Sequence, residues 1–302
     1  MPVPSTIQSV VRTIPDQASG DDTFTNEIAF SPGDGVTSVF GGIIASQAVT
    51  ASYATVPPDF DVYSSQSSFL RPASFEKNII YRVSRVAEGR AYATREVRAD
   101  QDGKCAYIAI VSFQRKSTLP GSVLTYQATM PHMDGMRPED VHENEFLRSM
   151  SAAGSTLGKT HAEEPFEWRP AAVTAVKEGD DPTSYRARGF FRSRTPILDN
   201  SVNLAALAYA SDKFFLGTAL NANPGGLGER MRNLSMAASL THNLSFHDPQ
   251  VRVSDWLVAE RDTSWGANGR IIVHQKVWHV DSGQLVMSCT QEAIVWLKPA
   301  KL

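Results

Sequence analysis

Hydrophobic and polar positions along this chain alternate with a period of two over most of its length, and two apolar runs interrupt them. Phe24 to Phe30 reads as a short strand, closed by the turn Ser31-Pro32-Gly33-Asp34-Gly35. Val39 to Ala51 is apolar nearly all round, so it predicts a buried helix whose Gly41-Gly42 pair admits a second backbone at close range. Four alternating stretches follow: Val62–Leu70, Asn78–Val86, Arg90–Ala99 and Ala106–Gln114. One buried helix and then an antiparallel meander is an α+β arrangement.

Residues 115–165 break this pattern with Pro, Met, Gly and charges, leaving one amphipathic stretch from Val141 to Met150. The pattern then restarts. Strands at Phe166–Val176 and Tyr185–Arg192 precede a second apolar run, Leu204 to Leu216, again read as a buried helix and now carrying one carboxylate, Asp212. A second meander follows, with Trp256, Val258, Ile271, Val273, Val277, Leu285 and Met287 marking half-buried strands. Gly89-Arg90 recurs as Gly269-Arg270, and Asp102-Gly103 as Ser282-Gly283, at the same interval. A duplicated helix-and-sheet unit is the organisation this predicts. The expected boundaries are a loose polar arm over 1–22, a first unit over 23–125, a connector over 126–160 and a second unit over 161–302.

Composition narrows the classes. Among 302 residues, 42% are hydrophobic and 20% charged, which suits a protein with a sizeable core. A net charge of −3 gives no reason to expect nucleic acid or an anionic membrane as partner. No apolar run is long enough to span a bilayer, and Met1–Ser5 does not open a secretory signal. Cys105 and Cys289 both lie in strand-like runs and read as two buried thiols in a reducing compartment. Ala300-Lys301-Leu302 is a small-basic-leucine ending like the Ser-Lys-Leu peroxisomal address, so a peroxisomal or a cytoplasmic location is expected.

Several chemistries lack their motifs. No Gly-x-Gly-x-x-Gly follows Gly41-Gly42, no Gly-x-Ser-x-Gly elbow occurs, and His242 and His247 lack the Glu of a His-Glu-x-x-His site. No metal or cofactor is expected.

The ordered blocks Val39-Phe40-Gly41-Gly42, Ser67-Ser68-Phe69-Leu70-Arg71-Pro72, Ser112-Phe113-Gln114, Leu207-Ala208-Tyr209-Ala210-Ser211-Asp212, Phe246-His247, Asp255-Trp256-Leu257 and Gln291-Glu292 resemble the acyl-CoA thioesterase II family. The resemblance implies a double hotdog: two antiparallel sheets, each wrapped around a long central helix, paired with the site between them. In that family an Asp, a Thr and a Gln hold and polarise the water that attacks a thioester carbonyl. Position by position, Thr263 takes the Thr place, Gln291 the Gln place, and Thr241 the place of the Asp. Gly41, Gly42, Arg71 and His242 are the expected substrate-binding positions, with Arg90, Arg95 and Arg270 as further plausible contacts for a CoA phosphate.

Thr241 cannot serve as a general base near neutral pH. The family also has Asp at position 212, where a structural role is expected. Hydrolysis of an acyl-CoA or related thioester is therefore the first expectation. A non-hydrolytic hotdog enzyme (dehydratase, isomerase or cyclase) on a hydrophobic, polyketide-like intermediate is the second, and an inactive acyl-binding protein the third. The partner is an acyl thioester or hydrophobic small molecule, with a homo-oligomer possible from the resemblance.

Overall fold

The computed structural model describes residues 6–28, 38–116, 121–143, 164–174, 176–227 and 232–298. Its architecture is a double hotdog. Among the described residues, twelve strands form one antiparallel sheet in the order β1-β2-β4-β5-β6-β3-β9-β12-β11-β10-β8-β7. The first six are β1 (Thr13–Pro15), β2 (Thr23–Asn26), β3 (Phe60–Phe69), β4 (Ile80–Glu88), β5 (Tyr92–Gln101) and β6 (Lys104–Arg115). The last six are β7 (Phe166–Val173), β8 (Arg186–Ser193), β9 (Leu234–Phe246), β10 (Leu257–Ala267), β11 (Arg270–His279) and β12 (Leu285–Leu297). Read from either edge, the two halves have the same order, so the duplication seen in the sequence is a pseudo-twofold in space. The axis falls between β3 and β9, which pair from Ser64↔Ser245 to Ser68↔Thr241 and fuse the two sheets into one.

The central helices are α2 (Gly41–Tyr53) and α3 (Asn200–Ser211), preceded by a short α1 (Ile7–Val11) and followed by α4 (Phe215–Asn221). Both central helices are small-residue rich and buried on nearly every side, because the sheet wraps one face while the other helix covers the opposite face. Gly42 fixes their separation. A Cβ there would lie 2.6 Å from the Tyr209 carbonyl oxygen and 2.5 Å from the Phe40 ring. The close approach read from Gly41-Gly42 is thus present, and its second backbone is that of α3.

Two expectations are corrected. Residues 6–22 are not part of a loose arm. From Thr6 onward they fold, with Ile7 and Val11 fully buried, and the Gln47 side chain donates to the Val10 carbonyl at 2.7 Å. The apolar spacing of Ile7, Val10 and Val11 supplies the reason, since it is one face of a single helical turn. The second buried helix is also not continuous from Leu204 to Leu216. It stops at Ser211, capped by Asp212, and restarts at Phe215 after Phe214 takes φ of 64°. The turn Ser31–Gly35, most of the amphipathic stretch Val141–Met150 and the ending Ala300–Leu302 lie outside the described residues.

Candidate active site

Strand register builds the site. Thr263 on β10 pairs with Val273 on β11, Val273 with Gln291 on β12, Gln291 with His242 on β9, and His242 with Ser67 on β3. Directly paired residues share a face of the sheet, and all five are buried, so they form one row along the inner surface. Thr263 and Gln291 therefore lie on the same face but are not in contact. With Val273 between them, their backbones are about 10 Å apart at the usual strand spacing.

Each polar group in the row has a definite hydrogen-bond state. The Thr263 hydroxyl donates to the Ile272 carbonyl at 2.7 Å, which leaves its oxygen as an acceptor. Gln291 donates one amide N–H to the Asp212 carboxylate at 2.7 Å, leaving its second N–H uncommitted to that carboxylate. The His242 Nε2 meets the Ser211 hydroxyl at 2.8 Å, and that hydroxyl donates to the Ala208 carbonyl at 2.9 Å. The hydrogen bond to His242 must then run from Nε2–H to the Ser211 oxygen. Burial depresses the His242 pKa to about 3, so the ring is a neutral, packed group behind the site.

Thr241 stands apart. It pairs with Glu292 and Ser68, one step out of the buried row, next to the β-bulge between Glu292 and Ala293. Its hydroxyl accepts from the Glu292 backbone N–H at 3.3 Å. The three residues read as a water-holding set from the resemblance are thus distributed differently: Thr263 and Gln291 share the inner face, and Thr241 is held in the bulge.

What occupies the centre is Asp212. It sits where α3 ends, at the N-terminus of α2. Its carboxylate accepts from Gln291 and from the Gly42 backbone N–H. A Cβ on Gly41 would lie 2.8 Å from its Oδ2 and 2.9 Å from the Phe69 ring. Burial raises its pKa to about 7, against the pull of Gln291, Gly42 and Lys213. Lys213, mostly buried, pairs with Glu164 at 2.6 Å and lies over the Phe40 and Tyr209 rings. Asp212 thus bonds to neighbouring backbone and side chains, and one of those side chains is Gln291. Sequence reasoning could not see this link, because it spans two elements far apart in the chain.

Of the arginines, Arg95 is the clear correction. It is fully buried and spent on the Thr55 hydroxyl and carbonyl, the Ala87 and Thr94 carbonyls and Glu88, so it cannot reach a CoA phosphate. Arg270 is half-exposed and paired with Glu292 at 3.0 Å. Arg71 and Arg90 are exposed, at the end of β3 and in the β4–β5 hairpin.

The fold places this chain in the hotdog class. Residues 31–114 match the acyl-CoA thioesterase N-terminal domain, and residues 138–295 the acyl-CoA thioesterase C-terminal domain. Acyl-coenzyme A thioesterase 8 of Mus musculus is 30% identical over 275 residues, covering 86% of this chain and 81% of that protein. Peroxisomal acyl-coenzyme A thioester hydrolase 1 of Saccharomyces cerevisiae is 23% identical, covering 86% of each. The crystal structure of an acyl-CoA thioesterase II from Mycobacterium marinum superposes with a TM-score of 0.75 at 24% identity, covering 98% of this chain and 100% of that one. The chain belongs to the acyl-CoA thioesterase II family.

Proposed function

We propose that this protein hydrolyses an acyl-CoA thioester to the free acid and CoA, using a water held between Thr263 and Gln291. The buried row on the inner face of the sheet is the observation that carries this reading. Within it are an acceptor (the Thr263 oxygen, whose hydrogen is spent on Ile272) and, two strands away, a donor (the second Gln291 N–H). A water can donate to the first while a thioester carbonyl accepts from the second. Gly41 and Gly42 bring the N-terminus of α2 to the same place. Arg71, two residues after the Phe69 whose ring faces Gly41, is the arginine we assign to the CoA phosphates. The mouse and yeast relatives, both named as acting on acyl-CoA thioesters, support the substrate class. The yeast relative's name supports a peroxisomal location.

The test is CoA release from a panel of acyl-CoAds differing in chain length, wild type beside Gln291→Ala. The expected result is turnover of at least one member, lowered about 10²–10³-fold in kcat by the substitution. A wild-type protein inert towards the whole panel overturns the reading, and a non-hydrolytic reaction on a hydrophobic substrate takes its place.

A further inference from the structure

We propose that Arg261 is the receptor for an anionic group on the acyl chain, so that the thioester this site takes carries a carboxylate a few carbons beyond its carbonyl. This rests on the hydrolytic reading above and names its substrate class.

A second buried row lies beside the one that carries the site. Arg261 on β10 pairs with Gln275 on β11, Gln275 with Cys289 on β12, Cys289 with Leu244 on β9, and Leu244 with Ser65 on β3. All five are buried. Arg261 and Thr263 are two positions apart on one strand, so they share the inner face and stand ~7 Å from each other along it. Glu260 and Asp262, on either side of Arg261, alternate to the outer face, where Glu260 pairs with Arg188 at 2.6 Å.

What sets Arg261 apart is the lack of a counter-charge. Gln275, with its amide turned to satisfy both neighbours, donates to the Ser211 carbonyl and accepts from Arg261 Nη2, each at 3.0 Å. The Phe214 ring lies 6.0 Å from the guanidinium. The buried Nε–H has no hydrogen-bond partner, and no carboxylate among the described residues pairs with this side chain. Its titratable neighbours, Tyr185 and Cys289, are both pushed up by burial and stay neutral. Burial draws the arginine itself down to about 10, so it remains a cation at neutral pH.

The pseudo-twofold supplies the contrast. Arg95 on β5 and Gln275 on β11 are separated by the same interval as Gly89-Arg90 and Gly269-Arg270. Each bonds a carbonyl at the C-terminal end of its own half's central helix, Thr55 in the first and Ser211 in the second. Arg95 is as enclosed as Arg261, yet it is spent on the Thr55 hydroxyl, three backbone carbonyls and the Glu88 carboxylate. The buried cation of the first half is thus neutralised within the fold, and that of the second half is not. An uncompensated charge in a protein interior is costly, and an anion brought in from outside removes the cost. A carboxylate suits the planar guanidinium best.

Position decides which anion. The CoA phosphates are assigned to Arg71, which is exposed at the end of β3, whereas Arg261 is enclosed. With the thioester carbonyl seated at Thr263 and Gln291, the ~7 Å along the strand is the span of about five chain carbons. The acyl group that fits is a short dicarboxylic one, joined to CoA through one carboxyl and held at Arg261 through the other.

The experiment measures binding of two non-hydrolysable probes of equal chain length, the carboxypentyl and hexyl thioethers of CoA, by calorimetry. Wild type, Arg261→Met and Arg261→Lys are compared, with Tm recorded for each. Wild type should bind the carboxypentyl thioether about 10–100-fold more tightly. Arg261→Met should abolish that preference and raise Tm, because it removes an unpaired buried charge. Arg261→Lys keeps the charge but not the planar fork, so it should weaken the preference severalfold, and it decides the matter if Arg261→Met does not fold. Equal binding of the two probes by wild type overturns the proposal and leaves acyl-CoA hydrolysis standing. So does a preference unaltered in both variants. If wild type binds neither probe, this proposal and the acyl-CoA reading fall together.

Discussion

The Gly42 backbone and the Tyr209 carbonyl oxygen are in such close apposition that a methyl group on Gly42 would lie 2.6 Å from that oxygen. The contact is backbone against backbone, between the central helices of the two halves, and neither side can yield by turning a side chain. Gly42→Ala should therefore destabilise the fold by about 1–3 kcal/mol. Gly217, inside α4, has open space around its Cβ position, and Gly217→Ala should stabilise by about 0.5–1 kcal/mol. Thermal unfolding of the two variants checks this. Equal shifts would show that the helix contact is looser than described.

Asp212 also predicts how stability varies with pH. Its folded pKa, about 7, lies above its ordinary value of 3.8, so the native state favours the protonated form. The contribution of this group is complete below pH 3.8, declines between 3.8 and 7, and is gone above 7. Asp212→Asn removes that dependence. Relative to wild type, the variant should gain stability on going from pH 4 to pH 8, by an amount on the order of a few kcal/mol. Denaturant titrations at both pH values measure the difference, and parallel behaviour of the two proteins would contradict a raised carboxyl.

Thr241 makes its hydrogen bond to the Glu292 backbone in the bulge and is out of the buried row. A carboxylate placed there can accept the same bond. Thr241→Asp should therefore change kcat/KM for hydrolysis by less than about tenfold, well short of the two to four decades a general base supplies. A gain of several hundredfold would mean that position 241 reaches the reacting water.

Arg95 is fully buried and holds the C-terminal end of α2 to β4 and β5 through Thr55, Ala87 and Glu88. Arg95→Leu leaves these carbonyls short of donors and should cost roughly 2–4 kcal/mol. The exposed Arg90 should tolerate Ala within about 0.5 kcal/mol. Urea midpoints compare the two, and a silent Arg95→Leu would refute the structural role.

Period-two alternation and two all-apolar runs were enough to read the duplicated α+β plan, because half-buried strands and fully buried helices leave distinct patterns. Repeated Gly89-Arg90 and Gly269-Arg270 marked equivalent hairpins, between β4 and β5 and between β10 and β11. Thr263 and Gln291 come from the family resemblance, matched position by position, and their shared face follows from register. What the pattern could not carry was contact across the chain. Asp212 reads as one more polar residue at the end of an apolar run until Gln291 and Gly42 meet it in space. Arg95 looks like any strand arginine until its neighbours enclose it. The break at Phe214 was hidden because Phe214-Phe215-Leu216 is as apolar as a helix would need.

The outermost strands of the twelve give the sheet its limits. β1 is three residues long and ends in Pro15, and β7 carries Pro170 beside a register shift between Pro170 and Ala172. Proline offers no N–H to an incoming strand, and a kinked edge presents no straight ladder to copy. A sheet this wide would otherwise be an open template at both ends, inviting chain-upon-chain growth. Among the described residues, neither margin offers an uninterrupted ladder of backbone donors to a further strand.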